Sequence, residues 1–158
     1  MTATEESRNK AIIAAQAADE KLGKDIAVID VSDVMAIADI FVVVSGENER
    51  QVRAIVDEID EKMSDAGFEP KRREGNREFR WVLLDYGLAV VHVQRTTERD
   101  FYGLDRLYAD CPRIEVEGVE TAPAPGKWAD DSNVREIEDI EDLPLAGEEP
   151  TDEDESYY

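Results

Sequence analysis

The chain has 158 residues, enough for one domain of ordinary size and too few for two that each bury a core. Eighteen Lys and Arg stand against 39 Asp and Glu, a net charge of −21, which disfavours any general affinity for phosphate backbones because that needs a cationic surplus. One cysteine, Cys111, and one histidine, His92, exclude an intramolecular disulfide and a zinc site of the usual nitrogen and sulfur ligands within one chain.

Apolar runs such as residues 40–44 fall far short of the ~20 residues that a membrane-spanning helix requires. Residues 1–10 carry no apolar signal core, so the expectation is a soluble cytoplasmic protein with no membrane partner.

In chain order, residues 5–22 predict a helix with a small-residue stripe of Ala11, Ala14, Ala15, Ala18 and Leu22, suited to close packing on a sheet, and Gly23 ends it. Residues 25–30 and 40–44 are β-branched runs without polar alternation, which predicts two central strands buried on both faces. Asn48 with Gln51 caps a helix in which Val52, Ile55, Val56, Ile59 and Met63 repeat at the helical period until Gly67. Strands follow over about 69–73, 79–85 and 88–94, with hairpin links at Gly75-Asn76 and Tyr86-Gly87. Alternation puts Phe79, Trp81 and Leu83 on one face and Val82 and Leu84 on the other, while Val90 and His92 oppose Ala89, Val91 and Val93. Thr97 with Asp100 forms a capping-box pattern for a last helix bearing Phe101, Leu104, Tyr108 and Cys111 on one side, closed by Pro112.

This order predicts an α/β fold: a small mixed sheet of five strands with about three helices, occupying residues 1–112. Residues 113–158 read as an acidic, disordered tail, because residues 115–158 alone hold −14 of the net charge together with four of the six prolines. Within the tail, Val134, Ile137 and Ile140 could line one side of a short helix, transient or partner-docking.

Catalytic patterns are missing where they would have to be. The dinucleotide-binding and phosphate-loop glycine signatures and the Gly-x-Ser-x-Gly elbow are absent, and the Asp-x-Asp pair occurs at Asp152 and Asp154, in the tail. Asp30 and Asp33 could chelate a hard cation, but Asp at a strand end and in the next turn ordinarily solvates a loop. A Cys111–His92 nucleophile and base would have nothing to orient the imidazole. Residues 71–80 hold five cations, which either touch RNA or balance nearby acids on a solvated hairpin. On the last helix Arg99, Tyr102 and Arg106 fall on the side away from Leu104. The large residues of the last two strands leave two readings open, an ordinary core or a protein-binding surface that three helices fail to cover.

Over about residues 7–111 the chain resembles the ribosomal silencing factor, or Iojap-like, family. The likeness rests on Asp25-Ile26, Asp30-Val31, Ala38-Asp39, Ser45-Gly46 and Glu74-Gly75, and most specifically on the run from Trp81 to Gly87, Val91-His92-Val93, and the run from Arg99 to Leu107. The resemblance implies a nucleotidyltransferase-like fold without catalytic carboxylates, a non-enzyme that uses no cofactor. It also implies binding to the free large ribosomal subunit through its fourteenth protein, which blocks joining of the small subunit and represses translation, with a role in large-subunit biogenesis. A homodimer is compatible with the family, and contact with ribosomal RNA would be secondary. The alternatives are a metal-dependent nucleotidyltransferase-like enzyme or a general RNA-binding module.

Matched to the family, Glu74, Trp81, Asp85, His92 and Tyr102 are the expected partner-binding residues. Asn48, Glu49 and Gln51 replace the family's usual residues after Ser45-Gly46, and Gly87-Leu88-Ala89 replaces Gly-Asp-Val, removing a turn carboxylate. The acidic tail lies outside the shared pattern.

Overall fold

Residues 3–75 and 78–123 are described by a computed structural model of the chain. The elements are α1 (Glu5–Glu20), β1 (Lys24–Asp30), β2 (Ile40–Gly46), α2 (Glu49–Asp65), β3 (Arg72–Glu74), β4 (Trp81–Asp85), β5 (Ala89–Arg95), α3 (Thr96–Tyr102) and α4 (Leu104–Leu107). The strands form one five-stranded sheet in the order β1-β2-β5-β4-β3. Only β2 and β5 run parallel; the other neighbours are antiparallel. The mixed α/β architecture and the element order are those the sequence predicts.

Helices α1 and α2 cover one sheet face. The expected alanine stripe is there, with Ala11, Ala14, Ala15 and Ala18 at most 1 % exposed. Small side chains let α1 lie close to the sheet, and Gly23 serves the same approach, since a Cβ there would meet Val44 Cγ2 at 2.6 Å. The helix ends differently from expectation: Leu22, not Gly23, takes the left-handed conformation at φ 63°, and its side chain points to solvent, 76 % exposed. Helix α2 starts as predicted, Asn48 accepting the Gln51 N–H at 2.9 Å. Gln51 does more than close a capping box, because Oε1 accepts from Glu47 N–H and Nε2 donates to the Leu22 carbonyl. Val52, Ile55, Val56, Ile59 and Met63 are all fully buried. Each such burial is worth roughly 1.5–3 kcal/mol, more than helix propensity spans between ordinary residues, so packing rather than propensity holds α2.

Five expectations need correction. Strand β1 is an edge strand, not a central one, although Ile26 to Asp30 are buried. Its outer edge is occupied by the segment assigned to the tail: Asp30 N–H donates to the Pro112 carbonyl, Ile114 N–H to Val28 and Ala122 N–H to Ile26. Order therefore extends past residue 112, because an unpaired buried strand edge would leave its polar groups unsatisfied. Residues 124–158, including the helical pattern near Ile137, lie outside the described residues.

Phe79 is not in the strand. Its φ of 53° breaks the alternation, and the ring packs toward the α1 and α2 side with Arg53 4.8 Å from its centroid. The last helix is split at Gly103, whose φ of 61° turns the chain between α3 and α4, so Phe101 is exposed while Leu104 and Tyr108 are buried. The capping box does not form: Arg95 is the cap position without a side-chain bond, and Thr97 Oγ1 donates to Glu98 instead.

Candidate functional site

Residues paired across neighbouring strands project to the same side of a sheet. One cross-sheet row is Glu74, Leu83, His92, Val43 and Ala27; the next is Arg72, Asp85, Val90, Phe41 and Ile29; a third is Trp81, Gln94 and Ser45. All of these face away from α1 and α2. Over the β1–β2 half, Leu104, Tyr108 and Ala38 close the core. At the C-terminal end of β5, α3 places the Tyr102 ring 4.9 Å from Trp81. Four of the five residues carried from the family thus share one sheet face, and the fifth lies over it.

Helix α3 is short and is fixed by one buried side chain. Arg99 donates from Nη1 to Ser45 Oγ at 2.8 Å, from Nε to Asp105 Oδ2 at 2.8 Å, and from Nη2 to the Asp25 carbonyl at 2.6 Å. Arg99 was expected to face outward with Tyr102; it is 5 % exposed and points inward, because these acceptors lie beneath the helix.

Beyond Tyr102 no helix among the described residues covers the face. A depression of about 130 Å³ has Phe41, Leu83, Val90 and His92 in its floor, Met35 and Ile37 along one wall, and Arg72 and Asp85 at its rim. Ile37 is 75 % exposed. Arg72 bonds ionically with Glu74 at 2.8 Å and with Asp85 at 3.5 Å, while Asp85 Oδ1 accepts the Gly87 N–H at 2.8 Å. Arg80 is similarly paired with Glu78. These pairs favour the balanced-hairpin reading of residues 71–80 over an RNA-facing basic strip.

Trp81 and His92 are each 1 % exposed, which favours the core reading for these two side chains. Trp81 Nε1 donates to His92 Nδ1 at 3.1 Å, and the Phe41 ring meets the imidazole edge-on with centroids 4.8 Å apart. Burial drives the His92 pKa down to about 3, and the positive charge of Arg99 acts in the same direction. The ring is therefore neutral at physiological pH. Since Nδ1 accepts, the proton sits on Nε2. Glu74, Asp85 and Tyr102 are partly exposed and can touch a partner directly.

The other candidates resolve into structural roles. Asp30 Oδ1 accepts from Ser32 N–H and Oγ, and Oδ2 accepts from Ala3 N–H, as a loop-solvating carboxylate does. Burial alone would raise its pKa, but the Ser32 and Ala3 bonds and the Arg8 charge leave it below the usual range. Burial, then Asp110, Asp30 and Asp33, push the Cys111 thiol up, which opposes a nucleophilic role. Among the described residues no group of three His, Cys, Asp or Glu could hold a metal ion. What the face offers is apolar contact and partly exposed carboxylates, with the imidazole of His92 buried beneath them.

Sequence reasoning missed the wall of the depression. Val34, Met35, Ala36 and Ile37 are four consecutive apolar residues in a loop, with Val34 and Ile37 exposed. A nonperiodic apolar run between two strands was the available signal.

A family model described as ribosomal silencing factor during starvation matches residues 4–141. The chain is 39 % identical over 107 residues to a protein named ribosomal silencing factor RsfS from Halalkalibacterium halodurans, covering 68 % of this chain and 92 % of that one. It is likewise 39 % identical over 105 residues to the protein of that name from Bacillus subtilis, covering 66 % and 89 %. A crystal structure of a protein from Chromobacterium violaceum superposes with a TM-score of 0.63 at 29 % identity, covering 77 % of this chain and 95 % of that one. With the fold, the motifs and these likenesses in agreement, the chain belongs to the ribosomal silencing factor family.

Proposed function

We propose that this chain binds the free large ribosomal subunit through that subunit's fourteenth protein, and by occupying the site keeps the small subunit from joining. Translation is repressed by occlusion, with no chemical turnover. The action takes place in the cytoplasm, where subunits meet, and a role in large-subunit biogenesis is part of the same reading. Self-association into a homodimer and a secondary contact with ribosomal RNA belong to it as well.

The observation that carries this reading is the convergence of Glu74, Trp81, Asp85, His92 and Tyr102 on one side of the sheet, beside a depression that no helix among the described residues covers. Roles divide by exposure. Tyr102 supplies an aromatic contact, Glu74 and Asp85 face cations of a basic ribosomal protein, and Trp81 and His92 shape the floor from beneath. The acidic residues 115–158 favour encounter with a basic patch on such a partner protein.

The test is sedimentation of purified subunits mixed with the protein. Joined ribosomes decrease with the parent chain, and Tyr102→Ala or Glu74→Lys restores them, each weakening binding by roughly 2 kcal/mol, or about thirtyfold. Undiminished joining at saturating parent protein overturns the proposal.

A further inference from the structure

The imidazole of His92 spends only one of its two nitrogens inside the fold. Nδ1 takes the Trp81 indole N–H, which places the ring proton on Nε2. Nε2 is buried and has no hydrogen-bond partner among the described residues. His92 also forms part of the floor of the depression, among Phe41, Leu83 and Val90. A buried donor beside an open apolar depression is a recognition element in search of an acceptor, because apolar contact alone would leave the N–H unsatisfied on closure.

Size and charge narrow the occupant. About 130 Å³ is well below the roughly 300–1,000 Å³ of small-molecule pockets and suits one side chain of a protein. A cationic group would meet the His92 N–H donor to donor, and a carboxylate would be desolvated next to Asp85. A neutral carbonyl oxygen carries neither penalty.

We infer that the depression receives one apolar side chain from a protein partner, whose neighbouring carbonyl oxygen accepts a hydrogen bond from His92 Nε2, with Trp81 as the positioning residue that selects this tautomer. The inference rests on the proposed function for the identity of the partner as a large-subunit protein. It adds what that reading leaves open, the chemistry of the contact: the partner must bring an acceptor, and Trp81 acts through His92 rather than by touching the partner.

Two measurements test it with the full-length chain. Nitrogen-15 spectra of the imidazole in the free protein should report the Nε2–H tautomer in the parent and a mixed or Nδ1–H population in Trp81→Phe. Competition binding to purified large subunits should show His92→Phe weakened about tenfold or more, and His92→Gln, which keeps an N–H donor, weakened less. Circular dichroism of each variant establishes that it is folded. An Nδ1–H tautomer in the parent overturns the inference whatever the variants do. So does parent-like affinity of folded His92→Phe when Tyr102→Ala loses binding, a result that leaves the proposed function standing. Failure of the parent itself to bind large subunits overturns both.

Discussion

Replacing His92 with Gln should change how stability depends on pH, and the size of the change follows from the burial of the ring. In the folded chain the His92 pKa is held near 3, while an unfolded histidine titrates near ~6.5. Below that value the unfolded state binds a proton that the folded state refuses, so stability is lost as pH falls. The contribution is complete above about pH 7 and declines by up to about 1.4 kcal/mol per pH unit toward pH 3. Between about pH 7.5 and 5.5 the loss is on the order of 1 kcal/mol, and by about pH 4.5 it is roughly twice that. The groups that face the ring are Trp81, whose N–H holds Nδ1, Phe41 at the ring edge, Arg99 nearby, and Arg72 and Asp85 at the rim. None of them is removed in His92→Gln, and the carboxylates of the chain are common to both proteins. Asp30, whose pKa is lowered, loses its contribution only as pH falls through the carboxylate range, mostly below this window. Urea unfolding of parent and variant over this range therefore isolates His92 as a difference of slopes. Equal slopes, or an imidazole that titrates near pH 6.5 in the folded parent by NMR, would refute the reasoning.

Arg99→Ala should destabilise the chain by about 3 kcal/mol in urea unfolding, since it strips Asp105, Ser45 Oγ and the Asp25 carbonyl of one shared donor. Arg99→Lys should recover only part of that loss, because an ammonium cannot reach three acceptors in the geometry of a guanidinium fork. Leu22→Asn should raise stability by roughly 0.5–1 kcal/mol, as residue 22 sits at φ 63° with an exposed side chain that packs on little; a lower melting temperature would count against that assignment.

The parts of the fold that were legible in the sequence are those set by local periodicity and composition. The apolar repeat of α2, the alanine stripe of α1 and the β-branched run of β2 each bury the residues their spacing predicts. What escaped depends on backbone conformations that residue type does not announce. Leu22 and Phe79 adopt positive φ, which moves one side chain into solvent and the other to the opposite side of the sheet. The central placement assigned to β1 failed for a different reason: burial on both faces comes from the 112–122 segment at its edge as well as from helices, a long-range contact with no local signature. The shared side of the sheet was legible, but exposure was not. Glu74, Trp81, Asp85, His92 and Tyr102 do gather on one side, yet alternation cannot tell which residues of a two-sided apolar strand will be covered, so core and surface both stayed open for Trp81 and His92, and Arg99 fell on the side away from Leu104.

Stability and recognition share side chains on this face, and their division explains its construction. Arg99 ties α3 to the ends of β1 and β2, which places Tyr102 over Trp81. Trp81 in turn holds the orientation of His92 at the floor of the depression. A truncation at Trp81 would disturb packing, tautomer and the seat of Tyr102 together, so loss of activity there would say little about direct contact. Tyr102 and Glu74 sit further out, where a substitution removes contact area or charge and leaves the Trp81–His92 bond in place. Hydrogen bonding sharpens the contrast: a buried His92 donor with no acceptor among the described residues gives this part of the sheet a chemical preference, rather than apolar surface alone.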